Sequence, residues 1–102
     1  MTGRERSARM VVGVLQMHLA IRDALSLKDK RRIVKSLRDR IRNRFNVSAS
    51  EVDSLDSRQQ ATLGVALATN DPVFADQVLA KVVDLVRATP GAVLVDYETE
   101  II

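Results

Sequence analysis

Residues 10–52 read MVVGVLQMHLAIRDALSLKDKRRIVKSLRDRIRNRFNVSASEV, and the period of their apolar residues changes twice. From Met10 to Arg22 the aliphatic residues alternate, so that Val11, Leu15, Met17, Leu19 and Ile21 share one side of an extended chain. This predicts a strand with one well buried face. From Leu27 to Asn43 the period lengthens to that of a helix, with Leu27, Val34, Leu37, Ile41 and Phe45 in one stripe and Ile33 at its margin. Ser26, followed three residues later by Asp29, marks the helix start, because these side chains can satisfy backbone N–H groups that the first turn leaves unpaired. Alternation returns with Phe45, Val47 and Ala49 until Val52 arrives one position out of phase, which indicates a β-bulge or the end of the strand.

The second half of the chain repeats this order. Ala61, Leu63, Val65 and Leu67 alternate within residues 60–69, and Asp71 and Pro72 then supply an N-cap and a proline at the first helical position. Phe74, Val78, Val82 and Leu85 follow at helical spacing until Thr89, Pro90 and Gly91 stop the helix. The closing stretch AVLVDYETEII alternates again; Val93, Val95 and Tyr97 are expected to face the helices, and Asp96, Glu98 and Glu100 the opposite side. Two split β-α-β units in 102 residues predict an α+β fold, the ferredoxin-like βαββαβ sandwich. It has a four-stranded antiparallel sheet with two helices on one face, and right-handed crossovers give the strand order 4-1-3-2. One such domain, residues 10–102, is expected, preceded by a polar, basic tail at residues 1–9.

Composition narrows the chemistry. There is no cysteine, hence no disulfide, thiolate metal site or cysteine nucleophile. No stretch has the apolar core of a secretory signal or the roughly 18 apolar residues of a membrane span, so a cytoplasmic location with no membrane partner is expected. Neither a nucleophile motif, a phosphate-binding glycine loop nor a dinucleotide fingerprint is present, and nothing nominates an enzyme or a cofactor. His18, the single histidine, could draw as a catalytic base or metal ligand on Asp96, Glu98 or Glu100 at outward parity on the last strand, but a lone histidine beside acids that the sequence does not locate reads as a surface or interface residue. Glu51, Asp53 and Asp56 read as an acidic loop, since their spacing fits no calcium loop.

Charge is the informative feature. The chain carries +3 overall, yet residues 28–44 hold nine Lys or Arg against two Asp, a surplus of +7 that leaves −4 elsewhere. Lys28, Lys30, Arg31 and Arg32 crowd the first two turns of the helix, where the backbone already carries partial positive charge. At 100° per residue, Lys28, Arg31, Arg32, Lys35, Arg38 and Arg42 form one strip opposite the apolar stripe. The second helix instead mixes Gln77, Lys81, Asp84 and Arg87 on its outer side. A solubilising surface is served as well by mixed signs, whereas a one-sign strip that opposes its own helix dipole suits a polyanion. The open sheet face, with Val12, Val14, Gln16, His18, Thr62, Gly64, Ala66 and Ala68, offers no aromatic for base stacking and suits packing against a second subunit, or simple exposure.

The segments MVVGVLQMHLAI and SLKDKRRIVKSLRDRIRNRFNVS, the EVD run with Asp56 and Gln59, the LGVAL strand and the NDP turn together resemble the YlxP-like family of small bacterial proteins. The resemblance runs colinearly from Met10 to Ile102, with SLKDKR and RNRFNVS its most specific parts. The family's ferredoxin-like fold agrees with the periodicities. Its members are commonly encoded near translation initiation and ribosome maturation genes, which implies association with structured RNA or a ribosomal subunit in the cytoplasm. Where relatives often carry an aromatic between Asp56 and Gln59, this chain has Ser57 and Arg58. The expected function is that of an RNA-binding or ribosome-associated accessory protein contacting phosphates through Lys28, Lys30, Arg31, Arg32, Lys35, Arg38 and Arg42. The alternative is a homodimeric scaffold or protein-interaction module with no nucleic-acid role.

Overall fold

The computed structural model describes residues 9–102, so the expected tail lies, except for Arg9, outside the described residues. Six elements follow in order: β1 (Val11–Ala20), α1 (Leu27–Arg44), β2 (Ser48–Asp53), β3 (Gln60–Thr69), α2 (Pro72–Arg87) and β4 (Val93–Ile101). The strands form one antiparallel sheet in the order β2-β3-β1-β4, which is the expected ferredoxin-like arrangement. α1 packs against edge strand β2, and α2 against β1, β3 and β4. One sheet face is thus covered by helices and the other is open.

The local signals act as their chemistry requires. Ser26 Oγ accepts from the Asp29 backbone N–H at 3.0 Å, and Asp29 Oδ2 accepts from the Leu25 N–H at 3.3 Å. Asp71 Oδ1 accepts from the N–H groups of Val73 and Phe74 at 3.0 and 3.3 Å. The end of α2 is held by Thr89 Oγ1 donating to the Leu85 carbonyl at 2.8 Å, and Gly91, at φ +90°, makes the left-handed turn into β4.

The core is aliphatic and built on the predicted inward residues of β1 and β3, including Leu15, Met17, Leu19, Leu63 and Val65. Three details depart from strict periodicity. Val52 is the extra residue of a register shift between Glu51 and Asp53, so the phase slip in the sequence is a bulge. A second register shift lies opposite His18 and Leu19, where Leu19 pairs with Leu94 and His18 with Asp96. Val95 is the inserted residue, and Val93, paired with Ala20, falls on the open face. The expectation that Val93 and Val95 face the helices is therefore corrected, whereas Tyr97, beyond the bulge, pairs with buried Met17 on the helix side as expected.

The third departure is the rotation of α2. Ala75, Leu79, Val82 and Val86 carry its buried side, and Phe74 is half exposed. The cause is a close approach. A Cβ on Gly13 of β1 would stand 3.1 Å from Leu67 Cδ2, 3.2 Å from Leu79 Cδ1 and 3.3 Å from Ala75 Cβ. A small residue on each element lets the helix lie low on the sheet, and Phe in the place of Ala75 would not fit. Gly13→Val is therefore expected to destabilise the protein by about 1–3 kcal/mol through overpacking, with Gly13→Ala milder. Urea denaturation measures both; an unchanged midpoint for the valine variant would show that α2 has slack against β1.

Candidate nucleic-acid interface

α1 buries Lys30, Val34, Leu37 and Ile41, a 4-3-4 spacing that forms one stripe. Lys30 thus stands at an apolar position, between Leu27 and Val34, and the expectation that it contacts phosphates with the strip's residues is corrected. Its side chain is fully buried, and its ammonium reaches Glu51 Oε2 at 2.5 Å. It also donates to the carbonyl oxygens of Ser54 at 3.0 Å and Leu55 at 3.4 Å. The stem packs with the aliphatic core while the three ammonium protons meet three acceptors at the end of β2. Ser54, at φ +61°, gives its own N–H to Asp53 Oδ1 at 2.7 Å. Glu51 and Asp53 are accordingly engaged in holding the β2–β3 turn.

The remaining cations of α1 divide into two groups. Some are tied into the fold: Arg42 Nη2 donates to the Ala49 carbonyl of β2 at 2.6 Å, Arg40 Nη1 to Thr89 Oγ1 at 3.0 Å, and the Arg44 guanidinium lies 5.9 Å from the Phe45 ring centroid. The others face outward. Lys28, Arg31, Arg32 and Lys35 are exposed and Arg38 is half-buried. Arg32 reaches Asp29 only at 3.5 Å, while Asp39 takes Lys35 at 2.9 Å and Arg38 at 3.4 Å. The Lys35 hydrogen bond, with the nearby charges of Lys35 and Arg38 outweighing desolvation, holds the Asp39 carboxyl below its ordinary range. Lys28 and Arg31 form no ion pair among the described residues. Exposed pairs of this kind contribute little to stability, so the outward group is dispensable to the fold in a way that Lys30 and Arg42 are not.

The open sheet face gives the opposite picture. His18 lies in register with Asp96, Gln16 with Glu98 and Val14 with Glu100, so the acids of β4 border β1 as the sequence parity implied. His18 Nδ1 also lies 3.3 Å from Thr62 Oγ1. No three His, Asp or Glu side chains among the described residues are grouped to hold a metal ion. None of the three aromatics is on this face: Phe45 ends α1, Phe74 opens α2, and Tyr97 lies on the helix side with the Arg87 guanidinium 5.5 Å from its ring centroid.

The Lys30–Glu51 pair supplies a direct test of the division. Glu51→Ala leaves an ammonium buried without its counter-charge and is expected to cost about 3–5 kcal/mol. Adding Lys30→Met, which keeps the stem's volume, should recover most of that loss, as chemical denaturation at neutral pH will show. A double variant no more stable than Glu51→Ala would mean that the backbone contacts of Lys30, and not the ion pair, carry the effect.

Comparison with known proteins places this geometry in a family. Residues 12–99 match the family model described as "Protein of unknown function (DUF503)", a span that includes both helices and every cation of α1. Over 80 residues the chain is 32% identical to the "Uncharacterized protein YlxP" of Bacillus subtilis (strain 168), covering 78% of this chain and 87% of that protein. Among solved structures, the de novo designed protein Foldit4 resembles it with a TM-score of 0.51 at 10% identity, over 92% of this chain and 97% of the other. That likeness concerns the fold alone. No helix among the described residues is long and apolar enough to cross a membrane. The match over nearly the whole domain and the identity to YlxP establish that the chain belongs to the DUF503 family.

Proposed function

We propose that the protein is a cytoplasmic RNA-binding or ribosome-associated accessory protein that docks the outward side of α1 onto the phosphates of structured RNA. The observation supporting this reading is the division of the α1 cations. Lys30 is buried, and Arg40 and Arg42, though exposed, are bonded to residues outside α1, while Lys28, Arg31, Arg32 and Lys35 are exposed along the helix's first turns and make no ion pair or hydrogen bond beyond α1 among the described residues. There the helix dipole and their mutual proximity oppose them. Charge held against local electrostatics is retained where a counter-charge arrives from outside. The absence of aromatics on the open face removes base stacking, the usual route of single-strand readers, and favours contact by charge and shape.

Neutralisation of about four phosphates gives a log K against log salt slope of about −3 to −4, with slight sequence preference. The variant carrying Arg31→Gln, Arg32→Gln, Lys35→Gln and Arg38→Gln is expected to melt within a few degrees of the parent while losing most RNA affinity. Lys81→Gln on α2 should leave affinity intact; Arg87 is unsuited as a control because it stacks on Tyr97. Fluorescence titration of labelled structured RNA at several salt concentrations reads slope and loss together. No binding at low salt, or a marked fall in melting temperature with binding retained, contradicts the reading.

A second reading concerns the open face and is compatible with the first, because the two surfaces lie on different sides of the domain. We propose that a second copy of the chain packs there. Val14, Val52, Gly64 and Ala66 line a depression of about 340 Å³ with Gln16, Ser48 and Ser50 beside them, an apolar centre with a polar border. Asp96, Glu98 and Glu100 disfavour a packing of β4 on β4 and favour one that lays β4 over the serines of the other copy's β2. Light scattering across a concentration series is expected to show a dimer that Ala66→Glu dissociates; a monomer at every concentration contradicts it.

A further inference from the structure

A depression of about 250 Å³ lies between α1 and edge strand β2, lined by Arg31, Val34, Lys35, Arg38 and Glu51. Two cross-links from α1 to β2 flank it in sequence, the Lys30–Glu51 pair and the bond from Arg42 to the Ala49 carbonyl. Arg38 falls between them. Its side chain is 30% exposed, and its recorded ion-pair contact is the 3.4 Å approach of Nη2 to Asp39, longer than a good charge-assisted bond. Its Nε–H is shielded from water and has no hydrogen-bond partner, the one buried side-chain polar atom among the described residues in that condition. Native proteins seldom leave such a donor unmatched, and each exception asks for an acceptor.

We propose that this depression is a seat for one phosphate group of a nucleic-acid backbone, with Arg38 as its fork. The proposal deepens, and rests on, the RNA-binding reading. Once the anion displaces Asp39, the guanidinium turns outward and brings its shielded Nε–H to the depression, where Nε–H and an Nη–H, as parallel donors, match two phosphate oxygens, which an ammonium cannot reproduce. Arg31 and Lys35 flank the fork on the same side of α1 and add charge, while Val34 contributes an apolar wall. Glu51 does not repel the anion in proportion to its formal charge, because its carboxylate is held by the Lys30 ammonium. Asp39 is the internal competitor, since it draws on both Lys35 and Arg38. A phosphate therefore exchanges with Asp39 for these cations, and the seat gives the otherwise sliding contact of a charged strip a fixed register.

The test uses the full chain and two probes, a labelled structured RNA and inorganic phosphate. In nitrogen–proton NMR spectra the Arg38 Nε–H resonance is expected to shift saturably with either probe. Arg38→Lys keeps the charge, so the salt slope should stay within about 0.5 of the parent's. RNA affinity should nevertheless fall about tenfold, because the fork is lost. Asp39→Asn should raise affinity about two- to fivefold by releasing both cations. RNA binding that leaves the Arg38 resonance unmoved, with Arg38→Lys as tight as the parent, overturns the seat and leaves the RNA reading standing. A saturable phosphate shift with no RNA binding at low salt overturns both the RNA reading and the assignment of the seat to a nucleic-acid backbone, identifying free phosphate as the anion instead.

Discussion

A lysine ammonium buried in an aliphatic core has to be matched by acceptors, and the matching of Lys30 governs how this domain presents its charge. Burial of such a group is tolerated only with well-placed partners. Glu51, the Ser54 carbonyl and the Leu55 carbonyl provide them, all from β2 or the turn that follows. The same contacts fix the end of β2 beneath the first turns of α1 and determine which side of the helix faces the sheet. With Lys30 turned inward, Arg31, Lys35 and Arg38 line the groove beside β2, while Lys28 and Arg32 remain exposed. One cation inside thus sets the direction of the others.

The domain is polarised as a result. α1 carries a surplus of +7 in a chain of net charge +3, and three acids of β4 lie in register with the open-face residues of β1. Such separation steers a polyanion toward one side and away from the other. It also separates two kinds of surface, a charged helix, proposed above to meet phosphates, and a smooth sheet face, proposed to meet a second copy.

Much of this fold was legible in the sequence because its caps and periods are strong: Ser26 with Asp29, and Asp71 with Pro72, begin the helices where their side-chain chemistry places them. The Val52 bulge was visible as a slip of phase, since a single residue broke an otherwise regular alternation. The Val95 bulge was not, because Val93, Val95 and Tyr97 are apolar and fit an unbroken strand equally well. The rotation of α2 escaped hydropathy for a different reason: it is set by the small pair Gly13 and Ala75, and size at a contact leaves no periodic trace. At the candidate interface, Lys30 stood in the apolar stripe all along, but its charge class assigned it to the surface; spacing was the better guide. The unmatched Nε of Arg38 and the ties of Arg42 and Arg40 to neighbouring elements depend on three-dimensional packing and had no signal in the chain.

The division of one basic helix into cations that hold the fold and cations that await a counter-charge is tested most directly in the cell. Gradient sedimentation of extracts at low and moderate salt should show the wild-type protein moving with ribosomal particles or large RNA at low salt and released as salt rises. The variant with glutamine at positions 31, 32, 35 and 38 should remain folded and stay at the top of the gradient under both conditions. Wild-type protein that sediments alone at low salt, or co-sedimentation indifferent to salt and to the four substitutions, would contradict it.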